Sequence, residues 1–343
     1  MILFLAGRLS LILFTVIIIT YFSFIMTHWF PADTITALTG LTEVDSATKA
    51  LLVEQYHFAD SHLAQFWGYT CQLFVGNWGA SITTSLPVFE QVIEKLPATI
   101  ELVIYSMFVA LVIGVPAGCL AGIKHHSKVD YIIISISLLF SSLPIFWLAL
   151  IIVNGLSVDG GVFPTSGRIS LLFDVPSITG FIFADIYFSE LNNKQSIYAN
   201  AFRHAVLPTL SLSLVTMAVV IKIARRSTID VMNSDFIKAT LARGLSPFRV
   251  IYQHGLKNIF FPVIPILTLQ FTVLLTNTML IEMVFDWPGI GTWLLNALYQ
   301  RDYPVIRGGL VVMATLVMII IICVDITLRL SDPIKDKDIH GAI

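Results

Sequence analysis

The chain has 343 residues, of which 56% are hydrophobic and 12% charged, with a net charge of −2 and a mean hydropathy of +0.85. A soluble domain carries roughly 25% charged residues, so water is not the main solvent of this chain, and the lack of a basic excess excludes a general nucleic-acid binder. Its three cysteines, Cys71, Cys119 and Cys323, cannot all pair and imply neither a disulfide framework nor a thiolate metal cluster.

A membrane span needs about 20 mostly apolar residues, because an unpaired backbone group in hydrocarbon is so unfavourable that only a helix, which pairs them all, can cross. Six stretches qualify in chain order: residues 9–29, 100–122, 131–153, 205–224, 259–283 and 305–328. Arg8 precedes the first, as in a signal peptide. The apolar run is too long for a signal sequence, however, and no A-x-A cleavage site follows, so it reads as a span. The apolar stretch 171–188 is interrupted by Asp174, Pro176, Gly180 and Asp185 and reads instead as an interfacial or packed extracytoplasmic element.

Lysines and arginines set the direction. Thirteen fall on the side that holds both termini and seven on the other, so the positive-inside rule makes both termini cytoplasmic. Segments 30–99, 154–204 and 284–304 are then extracytoplasmic and 225–258 is cytoplasmic. Glu101, Lys222, Glu282 and Asp325 lie near span ends, where long side chains can reach the interface, so they read as structural or interfacial and need not report a proton relay.

The cytoplasmic segment reads ARRSTIDVMNSDFIKATLARGLSPFRVIYQHGLKNIFFPVIP, and seven of the 20 basic residues lie between Lys222 and Lys257. Ser234 or Asp235 caps a predicted short helix that Gly244 ends, and a second short helix begins near Ser246 and Pro247 and runs toward His254. A basic loop held against anionic lipid is the plainer alternative.

These residues resemble the EAA loop of binding-protein-dependent ABC transporter permeases, in the form typical of the dipeptide and oligopeptide branch. Ala239 and Gly244 stand where the alanine and glycine of that motif stand, followed by Leu245, His254, Leu256, Asn258 and Pro262. Lys238 replaces the glutamate of the motif, and HGLK at 254–257 replaces its usual I-x-L-P. Further runs are similar in the same order: LPATIELVIYSMFVALVIGVPAGCLAG at 96–122, SSLPIFWLALII at 141–152, FPTSGR at 163–168, RHAVLPTLSLSL at 203–214 and IEMVFDWPGIGTWLLNALYQRDYPVI at 281–306. The Sap-type permeases of this branch also share SGRISLLFDVPSITGF, STIDV and RDY.

The resemblance implies an all-α integral membrane protein with six transmembrane helices, both termini cytoplasmic, and the type I ABC importer permease (MetI-like) fold. It divides the chain into a first helix with its extracytoplasmic loop (1–95), a permease core (96–333) that contains the coupling loop 225–258, and a cytoplasmic tail (334–343). It implies that Asp235, Phe236, Lys238, Ala239, Ala242, Gly244 and Leu245 dock on an ATPase. The implied partners are a second permease subunit, two ATPase subunits, a periplasmic solute-binding protein and membrane lipid, in a bacterial inner membrane. ATP and Mg would sit on the ATPases, since this chain has no phosphate-loop motif, no H-E-x-x-H and no G-x-S-x-G.

Other motifs carry two readings each. Trp287, Pro288, Gly289 and Gly291 form a tight turn outside span five, with a gate as the sharper alternative. Thr268, Thr272 and Thr276 share one face of span five, and Thr209, Ser213 and Thr216 recur on span four; both sets suit a solute path or close helix packing equally. His125 and His126 lack acidic or Cys partners at ligand spacing, and no metal site is read there.

The expected function is peptide import, cationic antimicrobial peptides included, by a permease subunit that is not itself an enzyme. Export of a polyamine such as putrescine through the same scaffold is one alternative, and a non-transporting membrane scaffold or sensor is another.

Overall fold

The structure is a computed structural model that describes residues 2–29, 39–41, 45–55, 61–242 and 256–331. Every regular element among them is a helix, as expected, and the one β contact is an isolated bridge between Ala80 and Pro87. The helices are α1 (Ile2–Trp29), α2 (Ser46–Gln55), α3 (His62–Val75), α4 (Val88–Ile123), α5 (Lys128–Ser142), α6 (Ile145–Val153), α7 (Ile182–Phe188), α8 (Lys194–Met232), α9 (Asp235–Ala242), α10 (Leu256–Phe285), α11 (Ile290–Gln300) and α12 (Tyr303–Ser331).

Among the described residues three helices are long and apolar enough to cross a membrane: Val88–Ile123, Lys194–Met232 and Tyr303–Val324. The first and fifth expected spans fall in α1 and α10, where the shorter apolar helices Leu9–Ile25 and Leu269–Phe285 are found. The third requires a correction. Residues 131–153 do not form one continuous span: α5 and the helix that follows it, Ile145–Val158, meet at a bend of 103°. Pro144 is the cause, since a proline disfavours the helical region for the residue before it; Leu143 is extended at φ −94°, ψ 140°. The apolar length of the stretch hides this break, although the proline is plain in SSLP.

The chain divides into two compact units. One comprises Met1–Ala98, Ser177–Phe181 and Pro288–Ile319. Its core joins Val88, Val92, Ile290, Ala297, Val305, Ile306 and Val312, with Trp78 and Trp293 against them. The carboxylate of Asp302 caps α12: it accepts from Ser81 Oγ at 2.6 Å, from the Thr83 N–H at 3.2 Å and from the Val305 N–H at 3.4 Å. Segment 30–96, in which the sequence offers no diagnostic motif, therefore supplies two of the three donors to this buried carboxylate.

The other unit comprises Thr99–Pro176, Ile182–Trp287 and Ile320–Ile343. Helix α8 is its axis, and α5, α6, α7 and α10 all pack on it. At 1.5 Å per residue its 39 residues reach about 58 Å, well beyond a hydrocarbon core of about 30 Å, so its ends stand outside the apolar layer. The stretch 171–188 folds onto the start of α8, where Ile182 and Ile186 pack with Ile197 and Ala201.

Helices α4 and α8 cross with almost no side chain between them. A Cβ on Gly118 would lie 2.6 Å from the Ile221 carbonyl oxygen and 3.0 Å from the Arg225 nitrogen. One on Gly122 would lie 2.6 Å from Thr228 Cβ, and one on Gly114 3.0 Å from Val220 Cγ1. Small residues at four-residue spacing let helix backbones approach closely in lipid, where no hydrophobic force drives helices together.

Candidate functional site: the short helix after α8 and a buried network at the end of α10

Two places gather the residues on which function would depend. The first begins where α8 ends. Ser234 follows that end, and its hydroxyl donates back to the Val231 carbonyl at 2.6 Å; the Lys238 N–H bonds the Ser234 carbonyl at 3.1 Å. Helix α9 then runs from Asp235 to Ala242, in agreement with the expected short helix. Ile237 is fully buried, whereas Asp235, Lys238, Ala239 and Ala242 are exposed. Those four are spaced i, i+3, i+4 and i+7 and so share one helical face opposite the anchored isoleucine. Lys238 Nζ lies 3.7 Å from Asp235 Oδ1, a solvated pair of the kind that contributes little to stability. Gly244, Leu245 and the second short helix lie outside the described residues, as does the side chain of Phe236.

About two turns before the end of α8, Arg225 reaches Asp130 at the start of α5. Its Nε donates to Oδ1 at 2.6 Å and an Nη to Oδ2 at 2.8 Å, a two-point fork that is stronger and more directional than a single contact. The Asp130 side chain is 2% exposed. It also accepts from the His126 N–H at 3.0 Å and lies 3.0 Å from His125 Nδ1. His125 and His126 stack at 3.7 Å between ring centroids. Thus His125 does have a carboxylate beside it, five residues along the chain, but Arg225 holds both oxygens of that carboxylate.

The second place lies around the end of α10. Asp286 takes the left-handed conformation at φ 48°, and the Trp287 N–H returns to the Glu282 carbonyl at 2.9 Å, the 6→1 bond of a Schellman stop. Trp287 is fully buried, Pro288 is exposed, and Gly289 and Gly291 are buried. Gly289 precedes α11, and its carbonyl accepts from the Trp293 N–H at 3.2 Å. The tight turn is thus present.

Of the structural and interfacial readings, Glu101 and Glu282 fit the structural one: they are 1% and 0% exposed. Arg168, the last residue of FPTSGR, forks onto Glu101, with Nε at 2.9 Å from Oε2, and its guanidinium lies 5.9 Å from the centroid of the Trp287 ring. The Tyr105 hydroxyl donates to the other oxygen of Glu101. Thr99 donates to Glu282 at 2.6 Å, and the Gly167 N–H bonds the Phe285 carbonyl at 2.8 Å. Burial of a carboxylate is tolerated here because each has a hydrogen-bond donor, one of them charged. Lys222, the third of the residues read as interfacial, reaches Ser141 Oγ at 3.2 Å, and the side chain of Asp325 lies outside the described residues.

The threonine and serine stripes divide. On α10, Thr276 is exposed and Thr272 half-buried, with Thr276 Oγ1 donating to the Thr272 carbonyl at 3.1 Å; the side chain of Thr268 lies outside the described residues. On α8, Thr209, Ser213 and Thr216 are buried against neighbouring helices. Ser213 Oγ returns to the Leu210 carbonyl at 3.0 Å.

Comparison with known proteins gives this geometry its context. Residues 114–336 match the family described as binding-protein-dependent transport system inner membrane component. The chain belongs to this family. It is 35% identical to the di/tripeptide transport system permease protein DppB of Pseudomonas aeruginosa over 330 residues, 96% of this chain and 97% of that one. It is 42% identical over 262 residues, 76% of this chain and 82% of the relative, to the Escherichia coli K12 protein named putrescine export system permease protein SapB. The counterpart in E. coli O157:H7, with the same identity, is named peptide transport system permease protein SapB.

Among solved structures, a chain of the inward-facing MetNI methionine ABC transporter superposes with a TM-score of 0.54 at 16% identity, covering 71% of this chain and 97% of that one. The fold is therefore the MetI-like permease fold. As a member of the family the chain is a non-catalytic permease subunit of the inner membrane. Arg168, Asp130 and the Gly114, Gly118, Gly122 series carry much of this architecture, and the sequence marks only the last of them, as a small residue at every fourth position.

Proposed function

We propose that this permease imports peptides, cationic antimicrobial peptides among them, using ATP hydrolysed on partner chains. The reading is carried by likeness over 96% of the chain to a permease named for di- and tripeptides. It takes six spans with both termini cytoplasmic, on the strength of the basic-residue asymmetry. A second permease subunit completes the pore, two ATPases hold ATP and Mg, and a periplasmic binding protein delivers the solute to the extracytoplasmic segments, 284–304 included. The face of α9 formed by Asp235, Lys238, Ala239 and Ala242, with Phe236 and with Gly244 and Leu245 beyond it, docks in a groove of the ATPase. Thr268, Thr272 and Thr276 line the path, and Trp287 to Gly291 shape its outer mouth.

Putrescine export is the second reading, because a relative of 42% identity bears that name. Flux in membrane vesicles separates the two. With a labelled dipeptide and labelled putrescine supplied in turn, ATP is expected to drive the dipeptide inward and leave putrescine unmoved. Outward putrescine flux without dipeptide uptake establishes the alternative instead.

A further inference from the structure

Helix α9 continues from α8 through a short turn, so a displacement of α9 reaches the rest of the unit through α8. Two features near Arg225 decide where that displacement goes. The backbone of Arg225 is seated against α4: a Cβ on Gly118 would lie 3.0 Å from its nitrogen and one on Gly122 2.9 Å from its carbonyl oxygen. Its side chain, 25% exposed, forks onto the nearly inaccessible Asp130 at the start of α5. Lys222, one turn earlier on α8, reaches Ser141 at the other end of α5 at 3.2 Å. The two cations of α8 thus hold the first half of the broken pair at both of its ends.

The 103° break at Pro144 separates α5 from α6, so α5 can change its angle to α6 while both stay packed on α8. We infer that the Arg225–Asp130 fork is a positioning pair that transmits movement of the docking helix to α5 and so links ATP hydrolysis to transport. The inference deepens the proposed function and rests on it. A two-point guanidinium fork suits such a role, because it resists rotation as well as separation, whereas an apolar contact slides.

The test uses the full complex of permeases, ATPases and binding protein in proteoliposomes, with a labelled dipeptide as probe, and reads dipeptides moved per ATP hydrolysed. Asp130→Asn and Arg225→Gln are each expected to lower this ratio about fivefold or more while hydrolysis continues. The exchange D130R with R225D is expected to recover part of it. A purely structural pair would lower the amount of complex and leave the ratio unchanged.

A second readout needs no solute. With the native cysteines replaced, spin labels at Asn233→Cys, in the exposed turn that leads into α9 and outside the docking face, and at Ile132→Cys report the distance between that turn and α5, and the change that ATP and vanadate produce in the parent complex is expected to vanish in Asp130→Asn. An unchanged ratio and an unchanged distance response in assembled Asp130→Asn overturn the inference. So does equal failure of both single variants and the exchange to assemble, since the pair is then a folding element only. If the parent complex shows the distance response but moves no dipeptide, the peptide reading fails and the coupling inference stands on its own readout.

Discussion

Arg168→Ala is expected to destabilise the folded permease by about 3–5 kcal/mol, because it leaves the Glu101 carboxylate buried at 1% exposure without its cation. Only the Tyr105 hydroxyl would remain as a named donor to that carboxylate, and a neutral donor does not offset the loss of charge. Arg168→Lys recovers little, since an ammonium neither forks onto Glu101 Oε2 nor lies flat over the ring of Trp287. Arg168→Met combined with Glu101→Gln is expected to restore most of the stability, because replacing both members of a buried pair by neutral groups removes the desolvated charge as well as the attraction. The check is the temperature at which detergent-solubilised protein leaves the monodisperse peak on size exclusion. An Arg168→Ala protein as heat-resistant as the parent contradicts the geometry.

Gly118→Leu is expected to have the second large effect. The added Cβ alone would lie 2.6 Å from a backbone oxygen and 3.0 Å from a backbone nitrogen of α8, and neither can yield as the tip of a side chain does. Helices α4 and α8 must separate, which also pulls Arg225 away from its seat. Overpacking of this kind is unfavourable by about 1–3 kcal/mol and more where backbone is the obstacle. Gly155→Ala is the control: nothing lies within 4 Å of a Cβ built there, and its stability is expected to match the parent. Equal stability of Gly118→Leu and Gly155→Ala on the same size-exclusion assay rules out the close crossing.

Much of the architecture was legible before any coordinates. The spans at 100–122 and 205–224 are visible because a membrane helix must hide its backbone in about 20 apolar residues, and that requirement writes itself into composition. Helix α9 is visible too, since Phe236 to Ala242 are acceptable helix formers placed between a capping Ser234 or Asp235 and a glycine. The break within 131–153 was written only in Pro144, and a long apolar run masks a single proline. The meeting of Glu101 with Arg168, 67 residues apart, had no local signal at all. Buried ion pairs are set by how helices cross, and spacing along the chain carries no record of that. The same holds for Asp130 and Arg225, 95 residues apart. Glu101 and Glu282 at span ends fitted an interfacial reading, and only their partners, Arg168 and Thr99, show why burial is tolerated.

In the proposed function this permease depends on an ATPase held through the segment around Ala239 and Gly244. The most direct test of that dependence is to solubilise the tagged protein from its own membrane and identify the chains that co-purify, with the parent and with Gly244→Trp. ATPase subunits and a second permease are expected with the parent, and the ATPases are expected to be lost from Gly244→Trp while that variant inserts in normal amount. Equal recovery of the ATPases with Gly244→Trp, or their absence from the parent, would contradict it.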